Sequence, residues 1–378
     1  MNNIPFEKIV HKYGTPLYVY HGENIEQQYA KLKKAFSEVD TEIHYAMKAN
    51  ENIEILNIIK NLGGGIDAVS ANEVDRALSI GFKPEDIVFT PSCASVDEIL
   101  YVLNKKVNVH IGAIEYFPLL GNELNGKKIG LRINPGVKIG GNQKIATSHN
   151  DSKFGIPVVF INKVKDLQKE YGFVINSLHI HTGSNISNVN DLIKSIDNIF
   201  KYASMFDRME YLDIGSGLKI KYKDDDREID LNAYAGHIKK KLNAHNQNLK
   251  IKIEPGKFLV GNAGYLVTTV NMVKQGYNKI FAGLNSGFNH LIRPMYYEAY
   301  HEIINISNPH GEMKKYDVVG QLCEEDTFAY DRMLNDVRIG DIVVIKSAGA
   351  YTASMAMEYN LRNKPKEILY FRDKITEI

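Results

Sequence analysis

The stretch HYAMKAN, His44 to Asn50, decides how the chain is read, and Lys48 is its unusual residue. Ile43, Tyr45 and Met47 alternate with polar or small neighbours, which is the two-residue period of a half-buried strand. A helix-like segment, Asn52 to Leu62, follows. A lysine at the C-terminal end of a strand that feeds a helix lies at the mouth of an α/β fold, where such folds bind ligands. Held there, its amine loses a proton more easily and can attack a carbonyl to give a Schiff base. A solvated strand-end lysine is the plain alternative on this stretch alone, so the rest of the chain has to decide.

Outward from HYAMKAN, strand and helix alternate. Eight strands are expected, at Glu42–Met47, Gly65–Val69, Asp86–Thr90, Val107–Gly112, Lys128–Asn134, Phe173–Thr182, Met209–Ile214 and Leu249–Glu254. Amphipathic segments such as Ala71–Ile80 and Asp191–Met205 lie between most of them, and Pro157 stands where a helix over Val158–Tyr171 would begin. Eight such units in about 230 residues match a (β/α)8 barrel in count and size. A doubly wound open sheet is the competing fold, but no GxGxxG follows the first strand and eight units are many for it. Before the barrel come a short helix, Phe6–Tyr13, and a strand, Pro16–Tyr20, that needs a sheet to join. After about residue 260 helices become scarce. Strands at Tyr265–Val273, Lys279–Ala282, Tyr316–Val319 and Asp341–Lys346 then indicate a mostly β second domain, of sandwich or barrel type. The expected division is a barrel over 28–262 and a β domain formed by 1–27 with 263–378.

Composition excludes several classes. The 378 residues carry 46 basic and 45 acidic side chains, a balance that supplies no electrostatic reason to bind nucleic acid or a membrane surface. No apolar run is long enough to span a bilayer, and MNNIPFEKIV lacks the regions of a signal peptide. Cys93 and Cys323 make neither a disulfide framework nor a zinc motif. A cytoplasmic protein is expected.

If the fold is a barrel, polar residues of unusual placement should collect at the C-terminal ends of its strands. Lys48, Asp67, Arg132, Asn134, His179, His181, the turn Gly215-Ser216-Gly217 and the run Glu254-Pro255-Gly256 all fall there. His179 and His181 face the same way on a strand, as metal ligands would, but no third ligand is evident, so stacking or hydrogen bonding is the better reading and no metal is expected. Gly183-Ser184 and Gly215–Gly217 can bare backbone N–H groups to a phosphate, or be ordinary turns. Glu254 is either a satisfied buried carboxylate or a group that keeps a ring nitrogen protonated, as an electron-sink cofactor requires. The run Lys223–Glu228 reads as a solvated loop.

A Schiff-base lysine, phosphate-binding glycines and a pyridinium-pairing carboxylate together point to pyridoxal phosphate. The same residues carry a family resemblance. HYAMKAN, GGGIDAVSANE (Gly63–Glu73), HIHTGS (His179–Ser184), EPG (Glu254–Gly256), CEED (Cys323–Asp326) and GAY (Gly349–Tyr351) resemble the barrel-type pyridoxal-phosphate-dependent decarboxylases. LRINPG (Leu131–Gly136), SKFGI (Ser152–Ile156) and LIRPMYYEAYH (Leu291–His301) are most similar to their diaminopimelate decarboxylase branch. The motifs run in the family's order from about Gly14 to Leu369.

The resemblance implies conversion of meso-2,6-diaminopimelate to L-lysine and CO2, with Lys48 attaching the cofactor and His181 stacking on its ring. Asp67 joins the cofactor site, and Glu254 pairs with the pyridinium nitrogen. Ser184, Gly215, Ser216, Gly217, Gly256 and the Tyr351 hydroxyl bind the phosphate. Arg293, Tyr297, Glu324, Lys257 and Tyr351 lie against the substrate. Cys323, catalytic, and Glu324 would come from the neighbouring subunit, making a homodimer with shared sites. Three positions depart from the family pattern: Lys257 where EPGR is usual, CEED for CESxD, and GSG for GGG. They bear on substrate choice more than on the cofactor. The alternatives are a decarboxylase of ornithine, lysine or arginine, which Arg293 disfavours because those substrates lack a second carboxylate, and an amino-acid racemase, which would not need Cys323-Glu324. A non-catalytic cofactor-binding module would not need the 120 or so residues beyond the barrel.

Overall fold

The computed structural model describes residues 3–136, 149–245 and 249–378. After a helix at Phe6–Tyr13, strand β1 (Leu17–His21) runs into a second sheet, and the chain then builds a barrel. Its strands are β2 (Thr41–Ala46), β3 (Gly65–Ala68), β4 (Ile87–Phe89), β5 (Asn108–Ile111), β6 (Lys128–Asn134), β8 (Val174–His179), β9 (Tyr211–Asp213) and β10 (Lys250–Ile253). All pair in parallel, and β10 returns to β2 to close the ring. A two-residue strand, β7 (Ile156–Pro157), adds to β6.

All eight expected barrel strands are present, with trimmed ends. The expected Phe173–Thr182 is paired only over Val174–His179, since the chain past His179 goes on to line the mouth, and Met209–Ile214 is paired only over Tyr211–Asp213. Pro157 does not open a helix directly. It ends β7 and is followed by a 3-10 turn, with the helix starting at Ile161. Ser70 and Ser95 cap their helices by accepting from the backbone N–H of Glu73 and Glu98.

The half-buried reading of β2 is corrected. From Ile43 to Ala46 the strand is buried on both faces. Ile43 and Tyr45 pack in the hydrophobic core, while His44 and Glu42 turn the other way, with His44 Nε2 3.3 Å from Glu42 Oε2 and Lys252 Nζ 3.6 Å from the same oxygen. That face looks into the barrel, whose interior is polar here. His110 of β5 meets Tyr211 of β9, which is possible only across the lumen since β5 and β9 are not neighbours. The alternation is therefore apolar-out and polar-in, rather than buried against solvated.

The second domain is a mixed sheet of β1 with β11 (Gly264–Gln275), β12 (Ile280–Leu284), β13 (Ile303–Asn305), β14 (Met313–Val319), β15 (Thr327–Asn335), β16 (Ile342–Ile345), β17 (Lys366–Phe371) and β18 (Lys374–Glu377). Its order is β15-β14-β12-β11-β1-β17-β18, with β13 and β16 attached through β11. As expected, β1 finds its sheet here, antiparallel to β11 and parallel to β17. Sequence reading misses β13, β15, β17 and β18. β15, for instance, interrupts any alternation with Asp331 and Arg332. The helix Phe6–Tyr13 covers the outer face of this sheet through Phe6 and Ile9, packed in one cluster with Leu17, Val267 and Ile368.

The two domains meet at HYAMKAN. The Tyr351 N–H donates to Ala49 O at 2.8 Å, Asn50 Nδ2 donates to Gly349 O at 3.3 Å, and the Ala46 N–H reaches Pro255 O at 3.3 Å. GAY and EPG are thus clamped onto the lysine turn.

Candidate active site

Lys48 stands in a 3-10 turn, Met47–Ala49, just past the end of β2. Its Nζ donates to Asp67 Oδ2 at 2.6 Å, an ion pair set up by the parallel register that places Ala46 beside Asp67. Asp67 is buried, while the Lys48 side chain keeps 37% of its surface open towards the cavity. Burial alone would lower the lysine's pKa, but Asp67, with Tyr351 and Glu254 behind it, outweighs burial and raises it. The expectation of an easily lost proton is therefore corrected for this state. Lys48 is held charged, and an aldehyde has to displace its contact with Asp67.

Across the same cavity lie His181, Gly183, Ser184, Ser216, Gly217, Glu254, Gly256, Lys257 and Tyr351. His181 follows β8 instead of ending it, and burial lowers its pKa to about 3, so the imidazole is neutral. Two glycines are required by geometry. Gly215 (φ +57) and Gly217 (φ +93) hold backbone conformations that side chains rarely adopt, and an added Cβ would meet Ile180 O at 2.6 Å and Gly183 O at 2.5 Å. Asn185 and Tyr351, at φ 61 and φ 56, also sit in this strained region beside the cavity. Nζ of Lys257, expected with the substrate, donates to Ser184 Oγ at 3.2 Å and also to Asn185 Oδ1. Burial first, then Arg293 and Lys219, lower its pKa to about 7.

Beyond Lys257, Arg293 is buried at the start of a helical turn, Arg293–Tyr297. Its Nη2 donates to Tyr222 OH at 3.0 Å, its guanidinium lies 6.0 Å from the Tyr297 and Tyr351 ring centres, and its Nε is buried without a partner. Cys323 and Glu324 do not join Lys48 within this chain. Both are exposed on the second domain, with Glu324 accepting from Tyr359 OH at 2.9 Å beside a separate cavity.

The residues at the mouth fit pyridoxal phosphate. Glu254 Oε1 is buried and unpartnered, as a carboxylate oxygen reserved for a ring N–H would be. The Gly215–Gly217 turn leaves backbone approach where a Cβ would block it. His110, Asp213 and Glu254 also bring one potential metal ligand each within 4.8 Å. Both His110 nitrogens are already taken up, by Thr90 Oγ1 at 2.9 Å and Tyr211 OH at 3.0 Å, so this cluster is better read as a hydrogen-bonded network.

Residues 22–261 match the family described as "Pyridoxal-dependent decarboxylase, pyridoxal binding domain". The chain belongs to this family. Its cofactor is pyridoxal phosphate. The decarboxylase is 34% identical to the diaminopimelate decarboxylase of Methanothermobacter thermautotrophicus, over 97% of this chain and 89% of that one. It is 35% identical to the diaminopimelate decarboxylase of Campylobacter jejuni, over 96% and 92%. The crystal structure of the Helicobacter pylori diaminopimelate decarboxylase, complexed with L-lysine, superposes with a TM-score of 0.91 at 31% identity, covering 98% of this chain and 95% of that one. No helix among the decarboxylase's described residues is long and apolar enough to cross a membrane.

Sequence reading of the decarboxylase passed over Tyr222, Asn185 and Asp213. Tyr222 adjoins the run Lys223–Glu228, which is mostly exposed as expected. Asp226 nonetheless accepts from the Tyr222 and Lys223 backbone N–H groups and so orders the loop that carries the tyrosine. Nothing in the local sequence signals that this tyrosine turns inward to Arg293. Asp213, at the end of β9, could have been noticed as a carboxylate at a strand end.

Proposed function

We propose that this protein decarboxylates meso-2,6-diaminopimelate to L-lysine and CO2 with bound pyridoxal phosphate, the last step of lysine biosynthesis. The observation that carries the substrate assignment is Arg293. It is a buried guanidinium with an unpartnered Nε, beyond Lys257 from the lysine turn, suited to grip the second carboxylate that lysine, ornithine and arginine lack. The relatives named diaminopimelate decarboxylase support the same reading.

In this reading Lys48 attaches the cofactor and Asp67 holds the lysine in place at 2.6 Å until then. Glu254 Oε1 accepts the ring N–H, and His181 lies against the ring. Backbone N–H groups of the Gly215–Gly217 turn, the amide of Gly256, and the hydroxyls of Ser184, Ser216 and Tyr351 receive the phosphate, with the Lys257 amine beside Ser184. When bound, pyridoxal phosphate takes up the electron pair that the departing carboxylate leaves behind. Arg293, Tyr297 and Tyr351 orient the far end of the substrate, and Tyr222 holds Arg293 in register.

The proposed active unit is a homodimer in which Cys323, catalytic, and Glu324, substrate-binding, complete the neighbour's site. Their exposure away from Lys48 supports this assignment. The proposed division of the chain is 28–262 for the barrel and 1–27 with 263–378 for the β domain, of which residues 1 and 2 lie outside the described residues. The proposed location is the cytoplasm. The test is CO2 release from a substrate panel with chiral analysis of the product. Faster turnover of lysine, ornithine or arginine than of meso-diaminopimelate, or interconversion of stereoisomers without CO2, refutes the reading.

A further inference from the structure

The barrel lumen beneath Glu254 holds a set of polar groups that the proposed chemistry does not use. His179, at the end of β8, is buried, and its Nε2 lies 3.1 Å from Glu254 Oε2. Its Nδ1 is buried with no partner. A proton on Nδ1 would leave a buried N–H without an acceptor and would set the Nε2 lone pair against the carboxylate oxygen. The proton therefore sits on Nε2, and the imidazole donates to the carboxylate. The ring is held flat against His110, with centroids 5.2 Å apart and planes 13° from parallel, and His110 is itself pinned by Thr90 and Tyr211. Gly130 makes room for this stack, since a Cβ there would meet His110 Cδ2.

Asp213 completes the set. Its Oδ1 accepts from the Gly215 N–H at 3.0 Å, and the Glu254 N–H donates to Gly215 O at 2.9 Å. The glycine turn and the carboxylate are thus built on one scaffold. Burial first, then the nearby Glu254 carboxylate, push the Asp213 pKa well up.

We propose that His179 is a positioning residue for the cofactor: by donating Nε2–H to Glu254 Oε2 from a fixed stack on His110, it aims Glu254 Oε1 at the ring nitrogen. This rests on the functional reading above, since it assigns Glu254 to pyridoxal phosphate. Among the described residues, the one hydrogen-bond partner of its ring is the group reserved for the cofactor.

The test compares His179→Gln, whose amide N–H reaches where Nε2 was, with His179→Asn, whose amide falls short. Both are polar and similar in bulk, so a difference between them does not report folding. The readout is the Kd of the apoprotein for pyridoxal phosphate, followed by its visible absorption. His179→Asn should weaken binding by on the order of 10- to 100-fold, the usual range for a lost hydrogen bond to a charged group, while His179→Gln stays within about threefold of wild type. In a Glu254→Gln background, His179→Asn should add less than about twofold, because the two residues act through one another. Equal Kd values for the Asn and Gln variants, or a full additional loss in the Glu254→Gln background, overturn the proposal. Wild-type protein that binds no pyridoxal phosphate would overturn the functional reading along with it. Wild type that binds well, with indistinguishable variants, overturns only the role of His179.

Discussion

Replacing Arg293 by alanine tests the substrate assignment directly. Arg293 is 6% exposed, so water does not take its place freely, and a substrate carboxylate brought in against Tyr222, Tyr297 and Tyr351 would meet no cation in its stead. Truncating one partner of a buried charge pair costs about 2–5 kcal/mol. At about 1.36 kcal/mol per decade, that is roughly 30-fold to several thousand-fold in kcat/KM. Burial of the site favours the middle and upper part of the range, so Arg293→Ala should lower kcat/KM for meso-diaminopimelate by on the order of 10² to 10³. Tyr222→Phe removes only the hydroxyl that accepts from Nη2, and should cost on the order of tenfold, mostly in KM. The assay is CO2 release under initial-rate conditions, with lysine as a control substrate that lacks the second carboxylate. Any side activity on lysine should change by less than about threefold in Arg293→Ala. Equal losses on both substrates would refute the reasoning, because Arg293 would then support the fold or the cofactor and not select the substrate.

Lys48→Ala should bind no cofactor that borohydride can fix to the protein, and covalent trapping in that variant would show that another lysine carries it. Gly217→Ala should abolish tight pyridoxal phosphate binding in an equilibrium titration, since the new Cβ would meet Gly183 O at 2.5 Å at a φ of +93. The apoprotein should gain stability in denaturant titrations as pH rises from about 7 towards 10.5, because across that window the unfolded chain binds a proton at Lys257 that the folded chain has shed. Lys257→Met should flatten that rise, and an unchanged slope would mean that Lys257 is charged in the folded apoprotein. Finally, Lys48→Ala and Cys323→Ala, each nearly inactive alone, should recover roughly a quarter of wild-type activity when remixed. Half of the dimers are then mixed, and one of the two sites in each is intact. No recovery with subunit exchange confirmed would sink the shared-site assignment.

What the sequence determined by itself was local and periodic. The eight barrel strands follow from alternation and from turn residues, which act within a few positions along the chain, so HYAMKAN, the strand at Lys128–Asn134 and the glycine turn at Gly215–Gly217 were all legible without coordinates. The chemistry at the strand ends was legible for the same reason: once the strands are placed, barrel geometry sends Lys48, His181 and Glu254 to one mouth, with Asp67 against Lys48. What only the tertiary structure decided depends on contacts between distant positions. Nothing near Lys48 in sequence says that Asp67 will hold it charged, because that ion pair comes from the register of β2 against β3. Tyr222 meets Arg293 across 71 positions, and His179 meets Glu254 across 75. The polar lumen was hidden for a related reason. Period two tells which residues share a face of a strand but not what that face looks upon, and closure of the barrel turned His44, His110 and His179 inward, where an open sheet would have left one face to solvent.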